Sequence, residues 1–199
     1  MKSIARILTA FALVVCGLAS AQAADFTADM TQTLNGTPLL TGKASVKEGM
    51  VRMESTVQGV PQVVISVPDK GRMIMLQPQM KMYMETRVDP AKMGPDVMKD
   101  GGEFGKWRVV GREKHDGMDC EKRVFDFKDK SQGEMTAWFA DKLDYPVKTV
   151  FVNGKDTMVV EYKNIKEAAL DKSLFEVPPG YQRMNIPDMG QGAGKMPGK

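Results

Sequence analysis

Short runs of alternating apolar and polar residues, broken at close intervals by turn dipeptides, constrain this chain more than any other feature. Alternation with a period of two places successive side chains on opposite faces of an extended backbone, the mark of half-buried strands. Eleven such runs occur, near residues 26–33, 41–47, 50–57, 62–67, 72–77, 80–87, 106–114, 118–128, 134–140, 146–152 and 155–164. Between them stand Asn35-Gly36, Glu48-Gly49, Gln58-Gly59, Asp69-Lys70-Gly71, Gln77-Pro78, Asp116-Gly117 and Asn153-Gly154. Links this short make sequential neighbours pair antiparallel. Asn153-Gly154 is expected to be a type I′ hairpin turn, which needs positive φ at both central positions. The prediction is a mainly β meander.

Two segments interrupt the rhythm. Residues 89–105 are too long for a hairpin loop; Pro95 opens a possible helical turn, Gly101-Gly102 closes it, and Met93, Val97 and Met98 share one face of it. The second, Glu167 to Phe175, reads as a short helix ending at Pro178-Pro179-Gly180. Residues 184–199 are rich in Gly, Pro, Met and Lys without periodicity, and are expected to be a disordered tail.

The N-terminus has the features of a secretory signal. Lys2 and Arg6 precede an apolar run from Ile7 to Val15, and Ala21-Gln22-Ala23 is a small-x-small cleavage pattern. The run is shorter than the about 20 apolar residues of a membrane span, and no second one follows, so no integral membrane segment is expected in the mature chain. Val15-Cys16-Gly17 resembles a lipobox but lacks the small residue before the cysteine, which favours simple cleavage over lipid attachment. The division expected is therefore a signal peptide over 1–23, one β domain over 24–183, and the tail. Cleavage removes Cys16 and leaves Cys120 alone, which excludes an internal disulfide.

Composition excludes several function classes. Against 25 acidic residues, 28 scattered basic ones do not make the clustered patch of a nucleic-acid binder. One histidine in 199 residues removes most His-based acid–base schemes, and no Ser-His-Asp set, phosphate loop or carboxylate pair stands in recognisable context. The reading is non-enzymatic, with no cofactor, and monomeric.

Methionine is unusually frequent, with 17 residues, and is densest between Arg72 and Met84. Met73 and Met75 share one strand face, as do Met82 and Met84 on the next strand. A two-residue loop at Pro78-Gln79 would set Met75 opposite Met82 and Met73 opposite Met84; Pro78 also permits a longer loop and a shifted register. Such a face can be ordinary core, an adaptable wall for an apolar ligand, or a soft-metal site for Cu(I), with His115, Met118 and Cys120 as a weaker second cluster. The opposite face of the hairpin, with Arg72, Lys81, Glu85 and Arg87, reads as a solvated surface with cross-strand charge pairs. Trp107 and Trp138 read as core.

The order of motifs resembles a known family. It runs through Val51-Arg52-Met53-Glu54, Asp69-Lys70-Gly71, Pro78-Gln79-Met80-Lys81-Met82-Tyr83, Gly111-Arg112-Glu113, Asp116-Gly117-Met118-Asp119-Cys120, Trp138-Phe139-Ala140-Asp141, Tyr145-Pro146-Val147-Lys148 and Leu174-Phe175-Glu176-Val177-Pro178-Pro179-Gly180-Tyr181. Over about residues 25–183 this is similar to the periplasmic lipoprotein-carrier superfamily (LolA/LolB-like), nearest to a branch known only as a domain of unknown function. The resemblance implies an antiparallel sheet of about eleven strands curled into an unclosed half-barrel, with short helical lid segments over an apolar concavity. It implies a periplasmic location in a Gram-negative envelope, and it gives Arg52 the part of a lid-locking arginine. The expected function is to carry a lipid, a lipoprotein acyl chain or another apolar ligand on a Met-rich concave face formed by Met53, Met73, Met75, Met82 and Met84 and covered by Met93, Val97 and Met98. The alternatives are a Cu(I)-binding envelope protein and a structural or protein-interaction module without a small ligand.

Overall fold

A computed structural model of the chain describes residues 25–57, 59–87 and 104–184. The expected signal peptide, the segment carrying Met93, Val97 and Met98, and nearly all of the tail lie outside the described residues. Alternation becomes strand wherever it was read: β1 (Phe26–Leu34), β2 (Thr37–Lys47), β3 (Met50–Val57), β4 (Val60–Val67), β5 (Arg72–Gln77), β6 (Met82–Arg87), β7 (Gly105–His115), β8 (Met118–Phe127), β9 (Glu134–Ala140), β10 (Tyr145–Asn153) and β11 (Asp156–Glu167). A twelfth strand, β12 (Gln182–Arg183), has too few residues to show any period. It runs parallel to β6, with Gln182 N donating to Lys81 O at 2.8 Å and Met184 N to Tyr83 O at 2.8 Å.

One twelve-stranded sheet results, in the order β12-β6-β5-β4-β3-β2-β1-β11-β10-β9-β8-β7. It is two meanders, β1–β6 and β7–β11, joined in the middle by the β1–β11 ladder and, among the described residues, left unjoined between β6 and β7. The sheet is an unclosed half-barrel, and every strand pair except β12–β6 is antiparallel.

Turn chemistry explains the register. Asn35-Gly36, Glu48-Gly49 and Asp116-Gly117 each hold two positive φ angles between paired strand ends, as a type I′ turn requires. Asn153-Gly154 departs from expectation. Asn153 pairs with Asp156, so Gly154 and Lys155 are the central residues and only Gly154 (φ 60°) is positive, the pattern of a type II′ turn. Expected pairing also fails at Pro78, whose ring holds φ negative and cannot enter a primed turn. The loop becomes residues 78–81, with Lys81 at φ 50°, and Gln77 pairs with Met82.

The helix expected over Glu167 to Phe175 is instead the end of β11 followed by a single 3-10 turn, Lys172–Phe175. Phe26 and Thr27 keep the backbone of Lys166 and Glu167 in the ladder, and Asp171 caps the turn by accepting from Ser173 N at 2.7 Å. From here the chain forms a strap across one face of β3–β6. Phe175, 1% exposed, packs with Val63, Ile65, Val67, Ile74 and Leu76, with Leu170, Val177 and Tyr181 around them. This corrects the reading of that hairpin face as simply solvated. Arg72 does pair with Glu85 (2.8 Å), but Ile74 and Leu76 between the charges form core beneath the strap.

The larger core cluster joins Phe26, Ala28, Met30, Ala44, Val46 and Met53 to Cys120, Ala140, Leu143, Val147 and Tyr162. Phe26, Tyr145 and Tyr162 meet edge to face, at centroid separations of 5.4 to 6.3 Å. Where β7 begins, a Cβ added to Gly105 would stand 2.4 Å from Asp126 O and 2.7 Å from the Phe125 ring. Gly105→Ala should therefore cost about 1–3 kcal/mol of stability, read as a lowered denaturant midpoint with unchanged slope.

Candidate functional site: the inner face of the half-barrel

The pairing registers sort every strand residue onto one of two faces. One face carries the ion pairs: Asp29–Lys43, Arg52–Glu54 and Arg72–Glu85 on the first meander, Lys122–Glu113 and Lys163–Glu161 on the second. The other, the inner face, carries the apolar rows, with the ion pair Arg123–Glu121 on β8 among them. On the first meander, cross-strand pairing aligns Ala28, Ala44, Met53, Val64, Met75 and Met84 in one row. On the second it aligns Met158, Phe151, Met135, Phe125 and Trp107. The inner face thus has a thioether-rich wing on β3–β6 and an aromatic wing on β7–β10.

Met53 is buried, and Met73, Met75, Met82 and Met84 are half-buried. Met75 faces Met84, whereas Met73 faces Thr86 and Met82 faces Gln77, so the two cross-strand methionine pairs expected from a two-residue loop become one. His115, Met118 and Cys120 are at the tip of the β7–β8 hairpin, on the other wing. His115 Nε2 donates to the Tyr162 carbonyl at 3.0 Å, and Asp116 Oδ2 accepts from Ile165 N at 3.2 Å, which fastens the tip to β11. Cys120 is fully buried, and burial pushes its thiol above the ordinary range. Among the described residues, no three His, Cys, Asp or Glu side chains converge as metal ligands would.

Arg52 projects from the charged face. Its Nε donates to Glu54 (2.8 Å) and its Nη1 to the Leu174 carbonyl (3.1 Å), so among the described residues it holds the C-terminal strap. An open groove of about 700 Å³ lies beside it, lined by Asp29, Lys43, Glu54, Thr56 and Tyr181 among others, on the opposite side of the sheet from the apolar rows.

The aromatic wing has no local sequence signal comparable to the methionine run. Trp107 meets Phe125 at 4.9 Å and Phe139 at 5.3 Å, and Phe127 meets Phe125 at 4.6 Å and Phe151 at 6.3 Å, all edge to face. Each ring occupies an alternate position in its strand, but only the register between strands lines them up. Trp138, expected in the core, is half-buried and packs against the larger core cluster, with its polar edge among the groups of the charged face. Its indole N–H donates to Glu113 (2.8 Å), and Lys122 and Lys148 stand 4.9 and 5.2 Å from the ring centre. Hydrogen bonds from Lys122 and Trp138 hold the Glu113 carboxyl below its usual range.

An unclosed antiparallel half-barrel with a largely apolar inner face and a strap packed across its outer face is the class these features define. The chain belongs to the family described as Domain of unknown function (DUF4412), whose model matches residues 25–144 and 126–181. No curated protein sequence matches it. Among solved structures it is similar to an uncharacterized conserved protein from Thermus thermophilus, at 12% identity over 82% of this chain and 91% of that one, with a TM-score of 0.56. It is also similar to a chain in the complex structure of Pseudomonas aeruginosa MucA/MucB, at 16% identity over 83% of this chain and 60% of that one, with a TM-score of 0.53. A LolA superfamily protein from Nitrosomonas europaea is similar at 10% identity over 77% of this chain and 90% of that one, with a TM-score of 0.39.

Proposed function

We propose that the protein is a non-enzymatic binding or carrier protein of the periplasm that holds the apolar chain of a lipid against the inner face of its half-barrel. The observation that carries this reading is the aligned row Met158–Phe151–Met135–Phe125–Trp107, continued on the other wing by Met53, Met75 and Met84. Thioethers repack around ligands of varied shape, and aromatic faces supply large contact area at low entropic cost. Each ligand methylene moved from water onto such a face contributes about 0.8 kcal/mol. In this reading residues 1–23 direct export, and Met93, Val97 and Met98, outside the described residues, are further candidates for contact with the ligand.

Mass spectrometry of the protein purified natively from the periplasm is the direct test, and a co-purifying lipid is the expected result. A second measurement separates apolar wall from soft-metal site. Replacing Met73, Met75, Met82 and Met84 together by leucine keeps hydrophobicity and approximate volume while removing sulfur. The variant should fold and retain lipid binding. Stoichiometric Cu(I) binding by the parent, lost in the variant, would replace the lipid reading with a metal one.

A further inference from the structure

Beside the aromatic row lies a second inner-face row, Val109, Arg123, Ala137, Thr149 and Val160, aligned by the same strand pairs. Of the ten residues in the two rows, Arg123 alone is charged. Its guanidinium lies 4.2 Å from the centre of the Phe139 ring, and its Nε donates to Glu121 at 2.6 Å. The side chains of Arg123 and Glu121 are 24% and 26% exposed. A surface arginine has no need of this position, and desolvation makes a half-buried charge on an apolar face costly.

The placement suits an amphipathic ligand. β8, which carries Arg123, is next to β7, the strand at the open edge of the sheet. From there the aromatic row runs inward across five strands, roughly 19 Å at a spacing of about 4.8 Å per strand. Stacking on Phe139 and the bond to Glu121 fix the guanidinium plane, so its terminal nitrogens offer a preorganised fork to an oxyanion. Glu121 offsets the arginine's charge when the site is empty, which limits the cost of keeping it there.

We propose that Arg123 anchors the head of the ligand, which is a lipid with a monoanionic carboxylate or phosphate head on an apolar chain. This rests on the lipid-binding reading above and adds head-group chemistry to it. The probes are cis-parinaric acid, a fluorescent fatty acid, and its methyl ester, which keeps the chain and loses the charge. Wild-type protein should bind both. Arg123→Gln should weaken the acid about tenfold or more and leave the ester unchanged, with Arg123→Lys in between, because a hydrogen bond to a charged group is lost from one ligand only. Displacement of the bound acid by palmitate points to a free fatty acid as the ligand, and displacement by phosphatidylglycerol to a membrane phospholipid; failure of both overturns the proposal. Equal loss for acid and ester, or no loss for the acid, overturns the anchor while leaving the lipid site standing. No binding of either probe to wild type removes the site and the anchor together.

Discussion

Phe175→Ala is expected to destabilise the protein by about 3–5 kcal/mol, the usual cost of removing a fully buried ring. The residue is 1% exposed and is the main apolar contact between the C-terminal strap and the sheet, filling the space over Val63, Ile65, Ile74 and Leu76. Leu170, Val177 and Tyr181 pack around it less completely, and the polar attachments are Arg52 to the Leu174 carbonyl, Lys172 to Glu48, and the two bonds that set β12 beside β6. Without the ring, the strap should loosen before the half-barrel does. Thermal unfolding should fall by roughly 10 °C, given about 2–4 °C per kcal/mol for a domain of this size, and an apolar dye should bind the uncovered face of β4 and β5. Leu174→Ala is the control. That side chain is 38% exposed and the residue's hydrogen bonds are made by its backbone, so the change should stay within about 0.5 kcal/mol. Similar losses for the two variants would show that the strap is held by its backbone and not by Phe175.

The second large effect concerns binding. Met135 is half-buried at the centre of the aromatic row, between Phe151 and Phe125. Met135→Glu should fold, because its position is not sealed, and should weaken an apolar probe about a hundredfold. Burying an unpaired carboxylate under a ligand costs several kcal/mol, and each 1.4 kcal/mol is a factor of ten. Met75→Glu poses the same question on the other wing, where Met75 faces Met84. Loss of binding in both variants means the ligand spans the inner face. Loss only in Met75→Glu would move the site to the thioether wing, away from the rings and from Arg123.

Much of this architecture was legible because strand and turn signals agree locally. Residues 72–77 and 134–140 are strands to the residue, since each has clean alternation bounded by turn chemistry. Departures occur where a distant partner decides. The backbone of Lys166 and Glu167 is extended because Thr27 and Phe26 lie beside it, and β12 exists because β6 offers an edge. At the site, the methionines stood out as a dense run within one hairpin, although Pro78 shifted their pairing by two positions from the two-residue loop. The aromatic wing contributes only one or two rings per strand, spread over four strands, and Arg123 and Glu121 look like any charged strand positions. Their meaning comes from cross-strand register, which no local pattern contains.

The ladder between β1 and β11 bears on how the molecule is made. Its partners include Thr27 with Lys166 and Leu34 with Met158, residues from opposite ends of the described chain. Hairpins of either meander form from neighbours, but this central seam must wait until the last long strand has been synthesised. Until then β1 and, later, β11 each present an unpaired edge beside an uncovered apolar face, the condition under which chains associate wrongly. A polypeptide built this way gains nothing from folding as it emerges from the ribosome. It is suited to being kept extended until complete and then zipped shut along its middle, in whichever compartment it is released.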